Sequence, residues 1–503
     1  MNKVFSGINR IIGVGFIVVA TMIMWISLSN PQHNLIPKQI VVGVPVAACL
    51  FGIIYACLNL LVKKVKFLRS DAAFGVLAVL FGVVLFSVGV ICRNSPVSFW
   101  DYEICYRSAF EYATSGTVTD GMYFSQNPHN WKCVMVLSWI MKAGYSLGMK
   151  DPYYLLLIVD IIIIEATLFS CRYLLNVFFP GNKANGLMLL IGFGSCLPLY
   201  AYAQTFYTDS ASFGFPLIGM ALFHKAYMKK GRKVISIICY FLAGILIGMG
   251  SAMKITSIIC VIAAVMTVVL KGSYRDSFIK VVSSVLIALA GFWLLSSGLE
   301  KMSLSNEWYR DKEVYSQPIL SYVAMGLKGD GTFYGNREFR IELDDILYIE
   351  DKEVFVKEYL RENAGELWNP EHISAKIRAN YASGNLGAED FARYSYGEDN
   401  VLNRMFNYNL DLYWYACKYN MIWQFHLYLI MIIGGIAVLS ADKRKSSDGM
   451  LFAELTFIGY FVFLFFWEAN NRQLFNMLPV MIIGYVVSLN MICAGSIRIR
   501  KAK

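Results

Sequence analysis

The chain has 503 residues, of which 57% are hydrophobic and only 16% charged. A soluble domain is roughly 45–50% apolar and 25% charged, so a water-soluble globular protein is excluded. The net charge of +10 sits in short clusters beside apolar runs, which suits a rim facing anionic lipid headgroups and argues against a nucleic-acid surface.

A hydrocarbon core about 30 Å thick takes roughly 20 apolar residues per helix. In chain order, runs of that kind occur at 11–29, 40–62, 72–92, 152–171, 187–204, 210–228, 234–250, 255–270, 279–297, 421–440, 449–467 and 474–495. The prediction is an all-α polytopic membrane protein with about 12 transmembrane helices. The first run lacks a small-residue cleavage site and reads as an anchor, not a removed signal.

One further apolar stretch, Trp131–Leu147, is decided by charge. Lys and Arg of short loops stay cytoplasmic. With 131–147 lying on the membrane as an interfacial helix, one side collects Lys63, Lys64, Lys66 and Arg69, the cluster Lys229–Lys233, and Lys443, Arg444 and Lys445. Were it to cross, every later cluster would flip outward. The prediction is two cytoplasmic termini, with 93–151 and 298–420 outside the cell. The second of these carries 21 acidic and 14 basic residues. The eleven cysteines lie mostly in or beside apolar runs and show no CxxC or Cys/His metal spacing. A disulfide among Cys92, Cys105 and Cys133 is disfavoured.

The loop 93–151 is the most informative for chemistry. It opens S-F-W-D-Y-E-I-C-Y-R, a short helix from about Asp101. Glu103 and Glu111 each lie four residues from Arg107, so helix-face ion pairs account for both. Asp120 reads as a turn residue and Asp151, before Pro152, as a cap on the next span. Asp101 has no such partner. It is either a helix N-cap or a general base at the membrane surface. Next, Y-F-S-Q-N-P-H-N offers Asn127, His129 and Asn130, groups that bind hydroxyls or simply cap the following helix.

Later short turns each place an ionisable group among apolar residues: Tyr207 and Asp209 in F-Y-T-D, Lys254 in M-K-I-T, and Glu468 and Arg472 in W-E-A-N-N-R. Lys254 and Arg472 stand on the side where positive charge is disfavoured. Snorkelling is the bland account; gripping a lipid phosphate is the sharper one, since Arg binds phosphate bidentately and Lys supplies a point charge. Asp160 and Glu165, inside the span 152–171, read as helix–helix hydrogen-bonding groups.

This layout resembles the GT-C superfamily of polyprenyl-phosphate-sugar-dependent glycosyltransferases, from about residue 72 onward. The cues are W-D-Y-E with Asp101, the Y-F-S-Q-N-P-H-N turn, F-Y-T-D with Asp209, M-K-I-T with Lys254 and E-A-N-N-R with Arg472. The stretch L-S-Y-V-A-M-G-L-K-G-D-G-T-F-Y-G looks like a segment of Gram-positive members. What the resemblance implies is a GT-C-like seven-helix core within 72–297, preceded by two N-terminal spans (1–71) and followed by an extracytoplasmic, mainly helical domain (298–420) and three C-terminal spans (421–503). It implies transfer of a sugar from a polyprenyl-phosphate donor to an extracytoplasmic acceptor, a cell-wall polysaccharide, teichoic-type polymer or glycolipid, with inversion. Asp101 would be the base, Lys254 and Arg472 the phosphate-binding pair. Glu103, Asn127, His129, Asn130, Tyr207, Asp209 and Glu468 would line the sugar and acceptor subsites. The loop lacks a DxD pair, so no cofactor is implied; a divalent metal is compatible but not required. A polysaccharide polymerase or ligase of the cell envelope, or a lipid-linked-sugar transporter, are the rival classes.

Overall fold

A computed structural model describes residues 2–31, 36–93, 100–229, 233–271, 278–392, 400–440 and 448–501. Among them every regular element is helical. Residues 230–232 and 441–447, within two of the basic clusters that orient the predicted topology, lie outside the described residues.

Among the described residues, nine helices are long and apolar enough to cross a membrane: Gly7–Ser29, Pro37–Lys64, Asp71–Ile91, Tyr153–Phe178, Lys233–Met253, Phe278–Ser303, Tyr413–Leu439, Asp448–Phe466 and Asn471–Cys493. Each overlaps a predicted span. The other three expected spans take a different form. The run 187–204 is broken into Ala184–Gly194 and Leu197–Tyr202, and the run 210–228 into Thr208–Ser212 and Phe215–Met228. The run 255–270 is a 3-10 turn, Ile255–Ile258, followed by the helix Ile259–Lys271. Pro198 and Pro216 explain the first two breaks. Each stands in the first turn of its helix, where a missing N–H costs nothing, whereas inside a continuous helix it would remove a bond. The irregular chain so created is hidden: residues 201–214 are all buried. Non-helical backbone at membrane depth is tolerated only under such cover.

The stretch 131–147 forms the helix Pro128–Ser146, which packs against the helices Asp101–Ser115, Tyr153–Phe178 and Lys233–Met253. Trp131, Val134 and Leu137 on it are fully buried. Between the helices Phe278–Ser303 and Tyr413–Ser440 the described residues form short helices with a small core of their own, in which Ala324, Met325, Phe339, Leu343 and Val356 pack together. All eleven cysteines are free.

Candidate functional site

The helix Asp101–Ser115 begins directly after Trp100, whose extended backbone supplies the N-cap with no side-chain cap bond. Asp101 therefore occupies the first turn, where the exposed N–H groups favour an anion. It forms no ion pair among the described residues, unlike its neighbours. Arg107 lies 3.9 Å from Glu103 and pairs more closely with Asp120, at 2.5 Å. Asp120 is thus an ion-pair partner as well as a turn residue. Glu111, expected beside Arg107, instead accepts the Thr119 N–H at 2.7 Å, because Asp120 has taken the guanidinium. Asp151 accepts from Tyr153 N at 3.0 Å, as a cap, and also pairs with Arg93 at 2.6 Å.

The second half of the site comes from the turns. Lys254, in extended conformation between the helix Lys233–Met253 and the 3-10 turn after it, forms an ion pair with Asp209, whose side chain is fully buried. The other Asp209 oxygen, Oδ2, has no hydrogen-bond partner among the described residues. Burial lowers the pKa of Lys254 and the adjacent Asp209 opposes that shift. Arg472 Nε lies 3.2 Å from Asp390 and 3.4 Å from Asn470 Oδ1, while its Nη1 is buried and unpartnered among the described residues. The guanidinium carbon sits 4.7 Å from the centre of the Trp100 ring and 5.7 Å from that of Tyr207.

These two halves meet. Tyr207 donates to Asn130 Oδ1 at 3.4 Å, and Asn130 donates to the Tyr123 hydroxyl at 2.7 Å. Burial, then the neighbouring Asp101 carboxylate, pushes the Tyr123 and Tyr207 phenols well up. His129 is solvent-exposed, stands edge-on to Tyr322 at 6.1 Å, and lies within electrostatic reach of both Asp101 and Lys254. Enclosure raises the pKa of Glu468, opposed by Asn470, Arg472 and Lys254. So Asp101, His129, Asn130, Tyr207, Asp209, Lys254, Glu468 and Arg472, drawn from five stretches of chain, share one location. Glu103 and Asn127 do not join them: Glu103 turns to Arg107, and Asn127 donates back to the Tyr123 carbonyl at 3.2 Å.

The segment 298–420 closes the far side. Lys376 donates to the Gly326 carbonyl at 2.7 Å, the Ala469 N–H to the Gly331 carbonyl at 2.7 Å, and the Asn470 N–H to Asn380 Oδ1 at 2.9 Å. Asn471 Nδ2 donates to Ser383 Oγ at 2.9 Å. Tyr322 stacks on Trp467, centroids 5.2 Å apart and planes at 11°. The stretch 467–472 that carries Glu468 and Arg472 is thereby held along its length. Gly387, at φ +78°, presses on Arg472: a Cβ there would stand 1.9 Å from Arg472 Cγ. Trp100, Asp390 and Tyr322 escaped the reading of the sequence. Asp390 is one of 21 acidic residues in its segment with no pattern to distinguish it; Trp100 had a signal, its place directly before Asp101.

The chain matches, over residues 4–492, a family described as conserved hypothetical integral membrane protein, and it belongs to that family. No curated protein compared with the chain matches it.

Proposed function

We propose, with membership of that integral membrane family as the premise, that the protein is a GT-C-type membrane glycosyltransferase acting at the extracytoplasmic face. It would take its sugar from a polyprenyl-phosphate donor and pass it to an envelope glycan or glycolipid. In this reading the termini are cytoplasmic, the helices from 72 to 297 form the GT-C-like core, and 298–420 covers the acceptor.

The observation that supports it most is the gathering at one point of Asp101, which has no ion pair among the described residues, two largely enclosed cations and several groups suited to hydroxyls. Asp101 accepts the proton of the acceptor hydroxyl as that oxygen attacks the anomeric carbon. The bond from the anomeric carbon to the phosphate oxygen breaks on the opposite face, inverting the centre. Lys254 and Arg472 hold the departing phosphate and offset its growing charge. Asp209 Oδ2 and the Tyr207–Asn130 pair suit sugar hydroxyls. Asp209 and Asp390 serve as counter-charges that keep the two cations buried, since an unpaired buried charge is costly.

The test is a deletion strain complemented in turn by wild type, D101N and E103Q, with lipid extracts followed for a glycosylated polyprenyl phosphate. The donor is expected to accumulate on deletion and to be cleared by wild type and by E103Q. D101N keeps the shape of the side chain but cannot take a proton, so clearance falls on the order of 100-fold while the protein remains folded. Unchanged lipid pools on deletion would remove the donor assignment; an active D101N beside an inactive E103Q would move the base to Glu103.

A further inference from the structure

Arg472 and Asp101 lie some 370 positions apart in sequence, yet one side chain stands between the elements that carry them. Trp100 is covalently joined to Asp101 and caps its helix. The Arg472 guanidinium lies 4.7 Å from the centre of its ring, well inside the roughly 6 Å at which a cation is attracted to an aromatic face. The ring is fixed from other directions by Tyr207 at 5.5 Å and Phe391 at 5.4 Å. Its indole N–H is buried and has no hydrogen-bond partner among the described residues.

Other groups hold Arg472 from its opposite edge. Asp390 and Asn470 take Nε, and Gly387 leaves no slack beside Cγ. Among the described residues, Nη1 is buried without a partner. A ligand oxygen is the natural partner for that donor, since a buried donor without an acceptor costs free energy.

We propose that Trp100 is a positioning residue that couples the proton-accepting carboxylate to the phosphate grip. Its face orients the Arg472 fork, and its place in the chain sets the distance from that fork to Asp101. This deepens the glycosyltransferase reading and rests on it for the identity of the anion. Cation–π attraction is strongest on Trp and weaker on Phe or Tyr, so the coupling has a graded signature.

The experiment uses full-length protein in detergent with farnesyl phosphate as the isoprenoid phosphate probe, its dissociation constant measured for single and paired variants. Relative to wild type, W100F is expected to weaken binding about threefold and W100L about tenfold. R472A weakens it further, and W100L combined with R472A is no worse than R472A alone, because the tryptophan acts through the arginine. A merely structural role would give additive losses, and additivity overturns the proposal. So does W100F binding as tightly as wild type, which decides the matter even if W100L does not fold. Arg472-dependent binding that ignores position 100 removes the coupling and leaves the glycosyltransferase reading intact. Failure of wild type to bind the probe removes both.

Discussion

On the proposed reading, single side chains decide whether this site grips an anion. Removing either cation is expected to weaken binding of an isoprenoid phosphate, because each loses a charge-assisted contact of roughly 1.5–3 kcal/mol. R472K should recover only part of the loss in R472A, since one ammonium cannot reproduce the planar fork; titration calorimetry on the three variants checks the order. Lys376 makes a separate prediction about pH. Burial lowers its ammonium to about 8, with Glu468 opposing the shift, so the folded protein releases that proton before the unfolded chain does. Between pH 8 and about 10.5 the unfolded state binds more protons, and stability therefore rises with pH across that window. The gain is on the order of 3 kcal/mol at about 1.4 kcal/mol per pKa unit. Unfolding of wild type and K376M at pH 7.5 and 10 should show the rise in the former and a flatter response in the latter. At this scale Lys254, Asp209 and Arg472 were legible because ionisable groups between apolar runs are conspicuous. Lys376 was not, for its burial depends on folding of a polar segment whose sequence looks solvated.

Helices pack here through absence of side chains as much as through their presence. Lys233–Met253 and Phe278–Ser303 cross so closely that a Cβ on Gly244 would stand 1.8 Å from the Ala288 carbonyl oxygen, and one on Gly291 2.2 Å from that of Phe241. Small residues at such crossings let backbones approach in a bilayer, where packing replaces the hydrophobic drive. G244A and G291A are each expected to push the pair apart at a cost of about 1–3 kcal/mol, seen as a lower melting temperature in detergent. A substitution at Gly298, which has open space around it, serves as the control. Nine apolar helices were visible in the sequence because length and hydropathy alone reveal them. The broken elements around Asp209 were read as two continuous spans. Their residues are as apolar as any span, and the signal that breaks them, Pro198 and Pro216, is equally compatible with a kinked helix until burial of 201–214 is known.

Across the molecule, the proposed orientation places 110–125 and 340–400 in the external medium and 229–233 and 441–448 in the cytoplasm. Engineered single cysteines, labelled in intact cells with a membrane-impermeant maleimide in a background lacking the native cysteines, test it. Labelling is expected at Thr117 and Glu358, both in solvent-exposed positions, and none at Gly231. External labelling at Gly231 would reverse every assignment downstream of 131–147. The same orientation gives the acidic segment 298–420 its place opposite the positive rim.

Gly387 carries a consequence for how such chains diverge. Its α-hydrogen faces the stem of Arg472 where any larger group would collide, and its left-handed backbone already favours glycine. The two positions are thus bound in inheritance. A descendant that keeps arginine at 472 has no room to drift at 387, whereas one that shortens residue 472 removes half of that restraint. Branches of the family that lost this arginine would then be recognisable by the paired change, an ancestral glycine drifting only where the arginine has already gone.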